Sequence, residues 1–326
     1  VIFLAFCLAF LSPMTVTKEE AAKAIAEEER NFELLFERIA RLYEAEEDLK
    51  EITADLLAFP DTKPKIKEEM LRANRRVFVF IYPCDGLKIK GYISFVPNPA
   101  GRPVLYMLRG GTEIFGLMNP ASRYSMMKDY TVIGSAQRGG VSEGKDEYGG
   151  DDVHDIAALF SFFPSLEKKL QISFRPRSVF ALGGSRGAME LFLALARYPH
   201  LQKRVDKIIS LSGLLDMEET LRFREDMLEM FVKKYGLVPG SNEKEWVARR
   251  DPIRTVPFIR RDLPILIIQG ANDVRTPLSE GRHMVEALKE NGNRVEYWEI
   301  EGGDHCIGNE SEIMNRMADW LDSDID

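Results

Sequence analysis

Val179-Phe180-Ala181-Leu182-Gly183-Gly184-Ser185-Arg186-Gly187-Ala188-Met189-Glu190-Leu191 runs from an apolar, strand-like stretch through G-x-S-x-G into a helical pattern. The order carries more than the five letters. A nucleophile elbow needs a strand that stops abruptly, a serine on a strained turn and a helix starting beneath it. Glycines flank the serine because side chains there would collide with the neighbouring strand and helix. The helix N-terminus then aims a free N–H and a positive dipole end at a reacting carbonyl. The competing reading is a glycine-rich strand–helix turn whose serine only caps the helix, so the partners of Ser185 decide.

A serine hydroxyl needs a base, and the base needs an orienting acid. Leu263 to Gln269 reads as a buried strand that ends in Gly270-Ala271-Asn272-Asp273. Glu296 to Ile300 reads as the next strand and ends in Gly302-Gly303-Asp304-His305. Asp273 and His305 thus follow the carboxyl ends of strands, where open α/β sheets place their sites. Ser185, Asp273 and His305 also come in the chain order that the α/β-hydrolase fold requires. Each has an alternative, Asp273 as a turn residue and His305 as a loop histidine held by Asp304. His154, His200 and His283 fall within or at the end of helical stretches, so only His305 sits at a late strand–loop junction. An oxyanion hole needs two donors. The Arg186 N–H at the helix start is one candidate. The tandem Gly110-Gly111, after the strand Val104 to Leu108, supplies the other.

Outside these segments, short apolar runs alternate with helical patterns. Strands are expected at Val77–Ile81, Leu87–Val96, Thr131–Ala136 and Ile208–Ser212, and helices at Val153–Phe163 and Ile313–Leu321. The first two strands flank a Cys84-Asp85-Gly86 turn. This rhythm predicts an α/β-hydrolase fold, a mostly parallel central sheet wrapped by helices, over residues 77–326. Residues 17–76 are rich in Glu, Lys, Ala and Leu. Phe32, Leu35, Phe36, Ile39, Leu42 and Tyr43 recur there at helical spacing, which predicts an N-terminal helical segment with one buried face. Thr17 and Glu20 suit a capping box. Residues 216–258 interrupt the strand rhythm with a Met- and Phe-rich helical insertion, the natural place for a small cap. Met227, Phe231 and Trp246 within it are candidate pocket residues.

The chain has 326 residues, 45% of them hydrophobic and 29% charged, with a net charge of −8. That suits one large α/β domain with additions. No basic patch stands out, which argues against a nucleic-acid partner. Cys7, Cys84 and Cys306 have neither a disulfide framework nor zinc spacing. Residues 1–16 begin with an apolar run too short to span a bilayer. Its length suits the hydrophobic region of a secretory signal, which predicts an exported protein, periplasmic or extracellular. A buried N-terminal strand or helix is the other reading.

Taken together, these segments resemble the catalytic domain of the prolyl oligopeptidase family of serine peptidases. The likeness rests on Cys84-Asp85-Gly86-Leu87-Lys88-Ile89-Lys90-Gly91-Tyr92, Arg109-Gly110-Gly111, Gln137-Arg138-Gly139-Gly140 and Tyr148-Gly149-Gly150-Asp151-Asp152-Val153-His154-Asp155. The elbow, Gly270-Ala271-Asn272-Asp273 and Gly303-Asp304-His305 complete it. The resemblance implies Ser185, Asp273 and His305 as a triad acting on a small peptide or ester, with no metal or cofactor. It further implies that Arg138, Asp151, Asp152 and Asp155 knit loops together. Several members place a tyrosine where Arg109 stands. Arg109, with Arg222 or Arg224, is therefore expected to face the substrate and to favour an acidic or carboxylate-bearing one.

Overall fold

The computed structural model describes residues 30, 33–45, 47–122, 127, 129–307 and 311–324. The expected signal in residues 1–16, the Thr17–Glu20 cap and Phe32 lie outside them.

Among the described residues, nine strands form one sheet in the order β1-β2-β3-β5-β4-β6-β7-β8-β9. They are β1 (Leu49–Glu51), β2 (Arg76–Cys84), β3 (Leu87–Phe95), β4 (Val104–Leu108), β5 (Thr131–Ser135), β6 (Val179–Gly184), β7 (Lys207–Leu211), β8 (Ile265–Gly270) and β9 (Val295–Ile300). The pairs β1·β2, β2·β3 and β3·β5 are antiparallel, and all the others are parallel. Asp85 and Gly86 join β2 to β3 with φ of 52° and 78°, the two positive values of a type I′ hairpin turn, which is why Asp-Gly stands there.

Ten α-helices are described: α1 (33–42), α2 (Thr53–Ala58), α3 (Pro64–Arg72), α4 (Asp152–Leu170), α5 (Arg186–Arg197), α6 (Met217–Phe223), α7 (Glu225–Lys234), α8 (Glu243–Arg250), α9 (Leu278–Glu290) and α10 (Ser311–Asp322). Buried parallel strands are apolar on both sides, and β4 shows how they feed two cores. Val104, Tyr106 and Leu108 pack with α4, α5 and α9 on one face. Leu105 and Met107 pack with α1, α2, α3 and α10 on the other. None of the described helices is long and apolar enough to cross a membrane.

Two elements depart from the sequence reading. The N-terminal segment contains a strand: β1 pairs Leu49, Lys50 and Glu51 with Phe80, Val79 and Phe78 on the free edge of β2. The helix expected to end at Phe163 runs on through Pro164 to Leu170. Proline cannot donate to the carbonyl four residues back, and Arg204 Nη1 donates to that Phe160 oxygen instead, at 3.0 Å.

α6, α7 and α8 lie between β7 and β8. Carboxylates anchor the start of α6. Asp216 accepts from Glu219 N, Asp251 from Met217 N, and the fully buried Glu280 of α9 from Leu215 N and Thr220 Oγ1 at 2.9 and 2.8 Å. Burial pushes the Glu280 carboxyl up to about 8 despite these donors. Its folded pKa thus lies above its ordinary value of about 4.3. The folded state holds the proton more tightly, so stability falls as pH rises from about 4 towards 8. The melting temperature of the wild type should therefore fall across that window, and Glu280→Gln should flatten part of the fall. An unchanged slope in the variant would show that Glu280 does not titrate in this way.

Candidate active site

At the end of β6, Ser185 takes φ 54° and ψ −124°, a conformation that L-residues rarely adopt. The chain around it explains how that strain is held. Ser185 N donates to Leu211 O at 2.9 Å, and Ser185 O accepts from Ala188 N and Leu214 N. A Cβ on Gly187 would collide with the Leu108 carbonyl, and one on Gly183 with the Gly187 carbonyl. Gly184 has open space around it. Two of the three elbow glycines are thus there for close approach, and the third is not.

The acid and the imidazole come from adjacent loops that backbone bonds tie together. Ala271 N donates to Ile300 O at 2.9 Å and Asn272 N to Gly303 O at 2.8 Å. Asp273 Oδ2 accepts from His305 Nδ1 at 2.8 Å and from Thr276 Oγ1 at 2.7 Å. Its Oδ1 accepts from the Arg275 and Thr276 amides at 2.8 and 3.0 Å. Burial raises the Asp273 carboxyl, but the His305 bond and charge together with the Thr276 donors outweigh it. The group lies below its ordinary value and stays ionised. Asp304, the alternative acid, is exposed, and its Oδ1 accepts from Cys306 N. Thr276 completes the orientation of the acid, a role the sequence reading passed over. An acid followed three positions later by a threonine is the local signal that marks it.

Arg186 opens α5, so its N–H has no acceptor within the helix. Gly110 packs against Ser185: a Cβ there would lie 3.1 Å from Ser185 Cβ and 3.6 Å from Ser185 Oγ. The Arg186 side chain is buried in an anionic cluster. Nε meets Glu190 at 2.7 Å, Nη1 meets Asp146 at 2.7 Å, and Nη2 meets Asp152. Its guanidinium stacks on the Tyr148 ring at 4.6 Å. Burial, offset only in part by Arg186, pushes the Glu190 carboxyl up. Arg138 bonds Asp155 and Asp85, and Arg249 bonds Asp151, so these charges do knit loops.

Ser185 opens into a cavity of about 760 Å³. Phe115, Phe223, Met227, Met230 and Val274 give it an apolar wall, and Arg224 and Arg275 also line it. Of the residues expected at the pocket, Met227 lines this cavity and Phe231, Trp246 and Arg109 do not. Phe231 is fully buried between Tyr148 and Trp246, with ring centroids 4.8 and 4.7 Å away, and Trp246 donates to Tyr235 O. Both are packing residues. Arg109 is 2% exposed and spends its guanidinium on four backbone carbonyls, those of Gly110, Glu113, Phe115 and Ala136. It is not among the residues that line the cavity, so nothing in its placement supports the charge preference expected of it. Arg224 does reach the cavity, but Asp226 holds it through two bonds. Arg222 pairs with Glu219 and lines a different depression.

A family model described as the prolyl oligopeptidase family matches residues 125–326. The chain belongs to the prolyl oligopeptidase family. It is 22% identical over 252 residues to an uncharacterized peptidase of Bacillus subtilis, YtmA, covering 76% of this chain and 93% of that protein. It is 24% identical to the dipeptidyl peptidase family member 6 of Caenorhabditis elegans, but spans only 36% of it. Among solved structures, it is similar to an acylaminoacyl peptidase of Pyrococcus horikoshii, with a TM-score of 0.61 and 18% identity. That match covers 76% of this chain and 42% of the peptidase. An esterase of Pyrococcus furiosus, Pf2001, gives a TM-score of 0.57 and 16% identity, covering 79% of this chain and 96% of the esterase. These likenesses establish the α/β-hydrolase fold. As a prolyl oligopeptidase family member, the chain is a serine hydrolase.

The elbow's packing gives a direct test. Gly187→Ala should lower the melting temperature by several degrees, on the order of 1–3 kcal/mol for forcing a methyl into packed backbone. Gly184→Ala should leave it within about a degree, since nothing lies within 4 Å of the added methyl. Equal losses in the two variants would contradict this division of labour.

Proposed function

We propose that Ser185, His305 and Asp273 form a catalytic triad that cleaves peptide or amide bonds through an acyl-enzyme. The observation that carries the reading is the Asp273–His305 bond of 2.8 Å, joined through Thr276, which donates to Asp273, to the cavity whose wall also holds Ser185 at φ 54°. In this mechanism Ser185 Oγ attacks the acyl carbonyl while His305 takes its proton. His305 then gives that proton to the leaving group. Water, deprotonated by His305, attacks the acyl-enzyme and restores the serine. The ionised Asp273 fixes the imidazole tautomer and stabilises its charged form. The Arg186 N–H and an amide of Gly110 or Gly111 stabilise the oxyanion. The Met227 wall suits an acyl or proline-like apolar group beside the scissile bond.

A second reading is cleavage of short acyl esters. It draws on the likeness to the Pyrococcus furiosus esterase, nearly all of which the chain covers. Rates on a panel of aminoacyl amides against short acyl esters choose between the two. A preference for esters by orders of magnitude would replace the first reading.

Ser185→Ala should lower turnover on the order of a million-fold and abolish fluorophosphonate labelling. Asp273→Asn should cost about four orders of magnitude, and Asp304→Asn far less. The reverse ranking of the two aspartates would transfer the acid's role to Asp304. Wild-type turnover by the alanine variant would remove Ser185 from the mechanism.

A further inference from the structure

The loop that follows β4 is a segment with little conformational stiffness of its own. Gly111, Glu113 and Gly116 all have positive φ, at 69°, 50° and 77°. The Gly110–Gly111 peptide has no Cβ on either side, so on its own it turns over easily. Two buried arginines grip it. Arg109 Nε donates to Gly110 O at 3.1 Å, and its Nη atoms donate to Glu113 O and Phe115 O at 2.5 and 2.6 Å. Arg186 Nη1 donates to Gly111 O at 2.8 Å. The same nitrogen bonds Asp146 Oδ2, which in turn accepts from Glu113 N at 3.0 Å.

In a trans peptide the carbonyl of one residue and the N–H of the next point in opposite directions. A cation that holds the Gly110 carbonyl therefore turns the Gly111 N–H away from itself. A cation that holds the Gly111 carbonyl does the same for the Thr112 N–H. Gly110 already lies against Ser185, so the direction of these amides decides what a reacting carbonyl at Ser185 meets. Arg186 adds a second constraint. Its backbone opens the nucleophile helix and its side chain reaches the glycine loop, so one residue links the two sides of the oxyanion site.

We propose that Arg109 and Arg186 are positioning residues, whose guanidinium groups lock the Gly110–Gly111 peptides in the orientation that stabilises the oxyanion. The proposal rests on the triad reading for its catalytic consequence, though not for the loop's orientation. Neither guanidinium touches substrate; both act through backbone. The charges support this arrangement. Burial and the neighbouring Arg186 lower Arg109 only to about 10, so it remains a cation at neutral pH. Neutral carbonyls are its acceptors, whereas Arg186 balances three carboxylates.

The test compares Arg109→Met, Arg109→Lys and Arg186→Lys with the wild type in two measurements. The first is hydrogen exchange of the peptide spanning residues 108–118, which needs no activity. Faster exchange confined to this loop, with the melting transition retained, is the expected result. The second is kinetics on one substrate, together with affinity for a trifluoromethyl ketone that forms a tetrahedral adduct. Arg109→Met should lower kcat on the order of 100-fold, the scale of losing one oxyanion donor, with KM nearly unchanged. Adduct affinity should fall in parallel, and Arg109→Lys should recover part of both losses. A residue needed only for stability would shift the melting temperature and leave the adduct affinity of the folded enzyme intact. If Arg109→Met does not fold, the two lysine variants carry the comparison. Unchanged loop exchange, or kcat and adduct affinity within about threefold of wild type, would overturn the proposal. If Ser185→Ala retained turnover, the triad reading would fail instead, and loop exchange would still report on the clamp.

Discussion

The structure depends on how closely α5 approaches the end of β4. The Gly187 Cα lies against the Leu108 and Arg109 carbonyls with no room for a methyl. That contact draws the helix N-terminus up to the sheet and forces the sharp reversal at Ser185. It also brings the glycine loop after β4 beside Ser185. The strained Ser185 backbone, a cost on the order of 1–3 kcal/mol, is held by the Leu211, Ala188 and Leu214 bonds on either side of it. Only a closely packed, over-determined setting sustains such a conformation.

Much of this was legible in the sequence because the decisive features are steric. An apolar run, two glycines at fixed offsets from a serine and a helical pattern leave few foldings. An uninterrupted apolar run placed β4 with its observed limits. Asp273 and His305 were legible because both follow the carboxyl ends of strands. What stayed hidden depends on partners distant in the chain. Lys50 and Glu51 read as helical surface, and they form β1 only because the edge of β2 is there to receive them. Helical spacing gives Phe231 and Trp246 an apolar face without saying whether it meets a cavity or Tyr148. In the sequence, Arg109 stands as a charge available to a substrate. Nothing in its own neighbourhood announces that the next loop, through positive φ at Gly111 and Glu113, folds its carbonyls back onto the guanidinium.

The buried charges divide by task. Asp273 is kept ionised by a full set of donors, His305 among them. Glu190 and Glu280 are pushed the other way by burial, and both sit where helices meet loops, not in the cavity. Perturbed carboxyls mark functional sites in many proteins. Here the geometry separates the group placed beside the histidine from those that join elements, which a shift alone would not do.

The cavity wall has a distant origin. Phe115, on the wall beside Ser185, packs on Phe36 of α1 with ring centroids 5.1 Å apart, and Tyr43 donates to Met118 O at 2.7 Å. The first helix of the described chain therefore buttresses the cavity side of a loop that begins some way downstream. The shape of the cavity beside Ser185 thus depends on positions that belong to neither the sheet nor the insertion, and substitution there reshapes the wall without touching Ser185, Asp273 or His305.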